Sequence, residues 1–274
     1  MSTQKAAHII RNSDCFIVTA GAGMGVDSGL PDFRGKEGFW RAYPVFKELG
    51  LSFEQIADPS WFTKAPNLAW GFYGHRRKLY QCTVPHDGFR ILKNILDRAN
   101  GGGWVVTSNV DGAFQRAGFH PRRVVEIHGT IHKSQCIEQC TRETWTDIDV
   151  PKMVTGATIA LSDTMPTCPA CGGLARPNIL MFGDDAWNGY EARMQRGMLN
   201  SWLDSVHGLR ICIIELGAGT AIPSLRYFAE QCKRVYDNVR LVRINVRESD
   251  VSDPRDVGLP MGALAALTEI ESML

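Results

Sequence analysis

The sequence contains no run of apolar residues that approaches the roughly 18 needed for a membrane-spanning helix. It also lacks a signal-peptide core, because His8, Arg11 and Asn12 interrupt the apolar residues near the N-terminus. It has no internal repeat and no low-complexity linker, and its net charge of +1 gives no strong attraction for nucleic acid or an anionic membrane. These absences predict a cytoplasmic protein without nucleic-acid or membrane partners, and they do not indicate an oligomeric state.

The composition is that of an ordinary globular protein, with 44% apolar and 22% charged residues among 274. Five short apolar runs, mostly continuous rather than alternating, are typical of parallel strands covered on both faces. They lie at residues 15–19, 104–107, 124–127, 211–216 and 239–244, with helix-like stretches between them. Together they predict an α/β fold with a doubly wound, Rossmann-like parallel sheet.

Two segments interrupt this alternation of strands and helices. Residues 36–85 are rich in aromatic side chains, which predicts an inserted helical segment with a satellite core. Residues 132–183 contain few apolar residues and two close pairs of cysteines, so we expect a bound metal to hold this small module together. We predict a single domain over residues 1–274, with a Rossmann-like core formed by residues 1–35, 86–131 and 184–274.

The segment after the first predicted strand is rich in glycine, with Gly21, Gly23 and Gly25. Glycines at such a position let backbone N–H groups approach a pyrophosphate, although a tight structural turn would also use them. The spacing is not a full G-x-G-x-x-G, because Val26 takes the place of the last glycine. No carboxylate ends a recognisable second strand about 20 residues further on, so an ordinary dehydrogenase is the least favoured function.

Residues 21–35 resemble the signature of the sirtuin family, in which a glycine loop leads into a proline–aspartate–phenylalanine–arginine segment bent over the nicotinamide half of NAD. The resemblance implies that NAD is the cofactor. The residues that it places at the cofactor here are Gly21, Ala22, Gly23, Asp32, Phe33 and Arg34. Gly25 departs from the pattern, since the family usually has a serine there.

Polar residues follow the second and third predicted strands, at the edge where doubly wound sheets bind ligands. Each of them alone is compatible with a cap, a turn or a structural histidine, but their convergence on one edge favours a site. The two segments are similar to sirtuin motifs. The resemblance implies that His128 is the general base and that Asn109 and Asp111 order the nicotinamide ribose. Ser108, also at the cofactor, replaces the family's glutamine.

Two later segments resemble the parts of the family that hold the adenosine half of NAD. Residues 217–219 are similar to a glycine–threonine–serine turn, and Asn245 is similar to the asparagine that holds the adenine ribose. The resemblance therefore implies cofactor contacts from Gly217, Ala218, Gly219 and Asn245. Ala218 and Gly219 lack the two hydroxyl groups of the family's turn.

Four cysteines in two close pairs are suited to a tetrahedral structural zinc ion, and four unrelated free thiols are the alternative. These candidate ligands are Cys136, Cys140, Cys168 and Cys171. Sirtuins carry such a zinc ribbon. The following residues, 176–184, resemble the family's segment that pairs with the substrate peptide, which implies that Phe182 and Gly183 bind the peptide.

Tyr73 and Arg76 lie three residues apart on a predicted helix and therefore share one face. An arginine can grip a carboxylate bidentately, and a tyrosine adds another donor. The same Tyr-x-x-Arg pair marks the sirtuin subclass that removes succinyl, malonyl and related acidic acyl groups. The alternative is a helix surface with Arg76, Arg77 and Lys78 in solvent.

Taken together, the resemblance implies an NAD-dependent protein-lysine deacylase that favours succinyl- or malonyl-lysine, with acetyl-lysine as a further substrate. It would act on an acyl-lysine protein or peptide and release nicotinamide, free lysine and O-acyl-ADP-ribose. One alternative is an ADP-ribosyltransferase or NAD glycohydrolase, suggested by the departures at residues 25, 108, 218 and 219. Another is a non-catalytic sensor of NAD or ADP-ribose, although binding alone would not need His128.

Overall fold

The computed structural model describes residues 2–31, 35–146 and 165–274. Within these ranges the strands are β1 (Cys15–Ala20), β2 (Gly103–Thr107), β3 (Val124–Glu126), β4 (Gly129–Cys136), β5 (Ala175–Ile179), β6 (Ile211–Leu216), β7 (Val239–Ile244) and β8 (Val257–Leu259). The helices are α1 (Ser2–Arg11), α2 (Gly35–Ala42), α3 (Pro44–Glu48), α4 (Phe53–Ile56), α5 (Trp61–Lys64), α6 (Pro66–Cys82), α7 (Asp87–Asp97), α8 (Ala113–Arg116), α9 (Tyr190–Ser205), α10 (Ser224–Val235) and α11 (Ala263–Glu271). In the described part of the chain no helix has both the length and the apolar character needed to cross a membrane.

Six strands form one parallel sheet in the order β3-β2-β1-β6-β7-β8. This is the strand order of the dinucleotide-binding doubly wound fold, so the predicted fold class is confirmed. The order reverses between β1 and β6, whose paired residues run from Cys15 and Ile211 to Ala20 and Leu216. The crevice beyond the carboxyl ends of these two strands is where such sheets bind ligands.

Both faces of the sheet are covered by helices, which explains the continuous apolar runs in its strands. Phe16 and Val18 of β1 belong to a core completed by α1, α7 and α11. Cys15 and Ile17 point the other way, into a core completed by α9 and α10. A fully buried aliphatic side chain contributes about 1.5–3 kcal/mol, so these two cores hold the strand ends in a fixed arrangement around the crevice.

The segment predicted as a helical insertion forms α2 to α6, with the aromatic satellite core expected for it. Phe46, Phe62, Trp70 and Phe72 are almost fully buried there. The same cluster includes Ile131, Ile179 and Met181, so the insertion packs against the segments on either side of the paired cysteines. The proposed division of the domain at residues 36–85 and 132–183 stays a prediction.

A second, antiparallel sheet pairs β4 with β5 and was not predicted from the sequence. β4 begins at Gly129 directly after His128, and Gly129 pairs with Ile179. Gly129 has φ +74°, and a Cβ added to it would lie 2.2 Å from the carbonyl oxygen of Asn178. Glycine is therefore required at the point where the chain leaves the predicted base and enters this ladder.

Candidate active site

Two glycine turns lie against each other at the switch point of the sheet. Gly21 follows β1 and donates its N–H to the carbonyl of Leu216, at 2.9 Å, and Gly23 donates to the carbonyl of Gly217, at 3.2 Å. Gly217 has φ +60°, and an added Cβ would lie 2.4 Å from the Cα of Gly23. The absence of side chains at these glycines therefore allows the two turns to pack closely against each other. The predicted use of these N–H groups as pyrophosphate donors does not fit Gly21 and Gly23, because protein carbonyls already accept them.

Asn109 is fixed beside the first glycine turn. Its Nδ2 donates to the carbonyl oxygen of Gly21 at 3.0 Å, and its backbone N–H donates to Oγ1 of Thr107 at 3.0 Å. Thr107 in turn donates its hydroxyl to the carbonyl of Ala20, at 2.8 Å, and Ser108 donates its backbone N–H to the same carbonyl. The end of β2 is thus tied to the end of β1, which holds the amide of Asn109 at the mouth of the crevice.

His128 lies next to the same loop. Its ring contacts the backbone of Ser108, which raises its pKa slightly, but burial has the larger effect and lowers the pKa below the ordinary value of 6.5. The carbonyl of His128 accepts the N–H of Leu180, at 2.9 Å. His128, Asn109 and Gly21 therefore converge at one edge, and the imidazole is neutral at physiological pH.

Asp111 is buried, and its side chain contacts the start of α8. Its Oδ1 accepts the N–H of Ala113 at 2.8 Å, the arrangement of a turn or cap that the sequence also allowed. Burial raises the pKa of Asp111, and Ala113, Arg116 and Arg76 only partly offset this effect. Asp111 is therefore within electrostatic reach of Arg76 on α6.

The remaining residues expected at the nicotinamide end, Asp32, Phe33 and Arg34, lie outside the described residues. At the adenosine end, Asn245 is buried next to the turn at residues 217–219. Its Nδ2 donates to the carbonyl of Ala218 at 2.8 Å, and its Oδ1 accepts the backbone N–H groups of Arg247 and Glu248. Asn245 thus shapes this turn, together with Arg226, which also donates to the carbonyl of Ala218.

The four cysteines predicted to bind metal come together. Their Sγ atoms all lie within 4.8 Å of one another, with Cys136 and Cys171 at 3.7 Å and Cys140 and Cys168 at 3.5 Å. Four thiolates at about 2.3 Å from a tetrahedral zinc ion are separated by about 3.8 Å. The predicted structural zinc site therefore fits, and the alternative of four unrelated thiols is wrong.

The segment predicted to bind the substrate peptide runs past His128. Leu180 bonds to the carbonyl of His128, and Phe182 donates its N–H to the carbonyl of Ala57 in the insertion, at 2.9 Å. The side chain of Phe182 and the backbone at Gly183 are exposed. A buried ion pair at 2.8 Å between Arg176 and Asp184 closes the segment, so its exposed residues have a rigid support.

Tyr73 and Arg76 are both buried, with relative exposures of 1% and 6%. The guanidinium carbon of Arg76 lies 5.8 Å from the ring centre of Tyr73, so the two side chains share a face as predicted. Arg77 is buried too, whereas Lys78 is exposed. The alternative of three solvated basic residues is therefore wrong for Arg76 and Arg77.

Two further side chains at the site were not identified from the sequence. Thr107 links β1, β2 and Asn109 through one hydroxyl, and nothing in the sequence distinguishes it from an ordinary strand threonine. Tyr80 accepts hydrogen bonds from Arg76. Its position four residues after Arg76 was the available signal, because residues so spaced are neighbours on a helix.

Comparison with known proteins agrees with this fold and with the resemblance to sirtuins. The profile of the Sir2 family matches residues 21–200. The chain is 34% identical over 168 residues to an NAD-dependent protein deacylase of Aquifex aeolicus (strain VF5), an alignment that spans 61% of each protein. It is 32% identical over 193 residues to an NAD-dependent protein deacetylase of Saccharolobus solfataricus, spanning 70% of each. The structure of a Sir2 homologue in complex with NAD matches with a TM-score of 0.75 at 23% identity, covering 98% of this chain and 93% of that one.

Proposed function

Because the chain belongs to the Sir2 family, the sirtuins, we propose that it is an NAD-dependent protein-lysine deacylase that transfers the acyl group to ADP-ribose and releases nicotinamide. The names of its relatives, protein deacylases and a protein deacetylase, support this activity. The observation that carries the proposal is the convergence of His128, Asn109 and Gly21 at the switch point of the sheet. We place the enzyme in the cytoplasm, since a reducing compartment keeps metal-binding cysteines as thiolates.

We assign the nicotinamide half of NAD to the first glycine turn and the loop after β2. Gly21, Ala22 and Gly23 would line it, with Ser108 and Asn109 opposite, and the turn at residues 217–219 with Asn245 would hold the adenosine half. NAD supplies an electrophilic ribose carbon when nicotinamide leaves. The adjacent glycine turns support this assignment, because no side chain in residues 21–23 and 217–219 is larger than a methyl group at the switch point, where such sheets bind dinucleotides.

We assign proton transfer to His128. Burial keeps its imidazole neutral, so a ring nitrogen can accept a proton from a ribose hydroxyl. Asn109 and Asp111 would orient that ribose. Asn109 is held by Gly21 and Thr107, and this prior fixation reduces the entropy lost when the reacting groups are aligned.

The peptide would bind along residues 180–183, next to His128 and the insertion, with Phe182 and Gly183 in contact with it. We further propose that Tyr73 and Arg76 recognise a carboxylate at the end of the acyl chain, so that succinyl- and malonyl-lysine are favoured and acetyl-lysine is accepted less well. The burial of Arg76 supports this preference, because a charge–carboxylate contact is stronger away from water. Arg76 is also within electrostatic reach of Asp111.

The test is incubation with NAD and peptides that differ only in an acetyl or succinyl group, followed by mass spectrometry of every product. We expect O-acyl-ADP-ribose, and a drop of about 100-fold or more in its formation for His128→Ala, the usual loss of a general base. His8→Ala, an exposed histidine on α1, serves as the control. ADP-ribose without any peptide, ADP-ribosylated protein, or an inert NAD complex would instead indicate the glycohydrolase, the transferase or the sensor.

A further inference from the structure

Three side chains of α6, Tyr73, Arg76 and Tyr80, follow one another at intervals of three and four residues and so lie on one face of the helix. Tyr80 is 5% exposed, slightly less than Arg76 at 6%. Its hydroxyl oxygen accepts a hydrogen bond from Nη2 of Arg76 at 2.8 Å and another from Nε at 3.2 Å. One phenol oxygen therefore bonds to two nitrogens of the same guanidinium.

These two bonds determine which edge of the guanidinium a ligand can use. The group offers a side edge, formed by Nε and Nη2, and an end edge, formed by Nη1 and Nη2. Because Tyr80 engages the side edge, a carboxylate cannot bind that edge bidentately while these two bonds are kept. Tyr80 thus restricts the rotation of the guanidinium plane.

Aromatic rings hold the rest of the Arg76 side chain. The guanidinium carbon lies 5.3 Å from the ring centre of Phe72 and 5.5 Å from those of Phe53 and Tyr80. The face of an aromatic ring attracts the guanidinium cation, but this attraction does not determine how the guanidinium is rotated within its own plane. Hydrogen bonds are directional, so the oxygen of Tyr80 contributes a constraint that the surrounding rings do not.

This group of side chains borders the loop that we assign to the nicotinamide ribose. Arg76 lowers the pKa of Asp111, against the larger effect of burial, and Asp111 contributes to the raised pKa of Tyr80. Arg76, Tyr80 and Asp111 are therefore within electrostatic reach of one another. An acyl chain that leads from the ribose into the insertion would therefore approach Arg76.

We propose that Tyr80 is a positioning residue for substrate choice: its phenol oxygen orients Arg76 for the terminal carboxylate of an acidic acyl group. The inference rests on the proposed preference for succinyl- and malonyl-lysine. It goes beyond that preference by making a third residue of α6 necessary for it. The specifying atom is the oxygen, because a phenylalanine ring at residue 80 would keep the packing and the cation–π contact.

The test compares a succinyl-lysine peptide with the same peptide carrying butyryl-lysine, which has the same number of acyl carbons and no charge. For Tyr80→Phe we expect kcat/KM for the succinyl peptide to fall about tenfold, mainly through a higher KM, because the loss of a hydrogen bond to a charged group costs at least this much. The butyryl value should stay within about twofold, since removing one buried hydroxyl costs little when no charge is recognised. Tyr43→Phe is the control for loss of a phenol from the same aromatic cluster: Tyr43 is buried, contacts Nδ1 of His75 at 3.0 Å and is within electrostatic reach of Arg76.

The outcomes separate this inference from the proposed function. If wild-type enzyme does not prefer succinyl over butyryl, both the acyl preference and the role of Tyr80 are overturned. If Arg76→Met removes the preference but Tyr80→Phe retains it, only the role of Tyr80 fails. An equal loss for both peptides in Tyr80→Phe would mean a structural role and would also overturn the inference. Should Tyr80→Phe not fold, Tyr80→Leu replaces it: because this change removes the ring as well as the oxygen, a retained succinyl preference overturns the inference and a selective loss of succinyl turnover supports a positioning role for Tyr80.

Discussion

At the scale of single residues, the chemistry depends on the protonation state of His128. Because burial lowers its pKa below 6.5, the ring stays neutral to lower pH than a free imidazole. A base that is active when neutral loses activity as the pH falls through its pKa, so we expect the acid limb of kcat/KM to have its midpoint below pH 6.5. The measurement is a pH profile of kcat/KM, which reports the groups of the free enzyme.

A second group near His128 titrates in a neighbouring range and must be distinguished from it. Burial raises the pKa of Glu126, at the end of β3, to about 7. Glu126→Gln removes this carboxyl and should leave the acid limb in place. If the limb disappears in Glu126→Gln, or if its midpoint lies above 6.5, the assignment of the limb to His128 is wrong.

Asp111 combines a cost in stability with a role in function. Burial raises the pKa of Asp111 in the folded protein above 3.8. The ionised carboxylate therefore lowers the free energy of unfolding at every pH above the pKa that Asp111 has in the unfolded chain. Asp111→Asn keeps an oxygen that can accept from Ala113 and removes the buried charge. We expect the Tm at pH 7 to rise by about 2–4 °C while deacylation falls about tenfold or more.

Thermal unfolding and turnover of the same preparation check this expectation. Asp185→Asn, a change at an exposed aspartate, should alter neither quantity. A lower Tm for Asp111→Asn would contradict the pKa argument, since it would mean that the charge stabilises the native state.

At the scale of elements, the two glycine turns depend on each other. In Gly217→Ala the new Cβ would collide with Gly23 at 2.4 Å, and the residue would also have to keep φ +60°. The left-handed conformation costs about 1–2 kcal/mol, and overpacking adds about 1–3 kcal/mol. We expect the free energy of unfolding in urea to fall by the sum of these effects.

A matched substitution isolates the collision from the backbone cost. Gly208 also has a positive φ, +91°, but an added Cβ there has no neighbour within 4 Å. Gly208→Ala should therefore show only the smaller, conformational loss and leave NAD binding unchanged. Equal losses in the two variants would mean that the turns do not need their close approach.

The elements also show how far sequence reasoning reached. Five of the six strands of the parallel sheet were predictable because they lie in mostly continuous apolar runs, whereas β8 has only Val257 and Leu259 on either side of a glycine. The β4–β5 ladder was not, since its register depends on Gly129 meeting Asn178, a contact distant in sequence. The positions of Asn109 and His128 followed from the strand ends. The hydrogen bonds of Tyr80 and Asn245 could not be predicted, because residue spacing does not determine the directions of their side chains.

At the scale of the whole molecule, the cysteine cluster is connected to the proposed base through one ladder. Cys136 ends β4, which begins immediately after His128, and β5 leads into Leu180, which bonds to the His128 carbonyl. The parallel sheet, in contrast, has its own two cores, and among the residues that the structure describes no strand of this module joins it. A metal at the cluster should therefore stabilise the peptide side of the site more than the NAD side.

Removal of the metal tests this separation. We expect one zinc ion per chain to be released when the thiols are titrated with a mercurial in the presence of a metal-sensitive dye. Turnover should then fall by at least about tenfold, the loss typical when even a supporting group of a metal site is removed, whereas NAD binding measured by calorimetry should largely persist. Cys140→Ser should reproduce the effect, and Cys82→Ser, an exposed cysteine outside the cluster, should not. If metal removal abolished NAD binding and turnover together, the stability of the parallel sheet would depend on the cysteine cluster. The β4–β5 ladder would then not be the connection between the metal and catalysis.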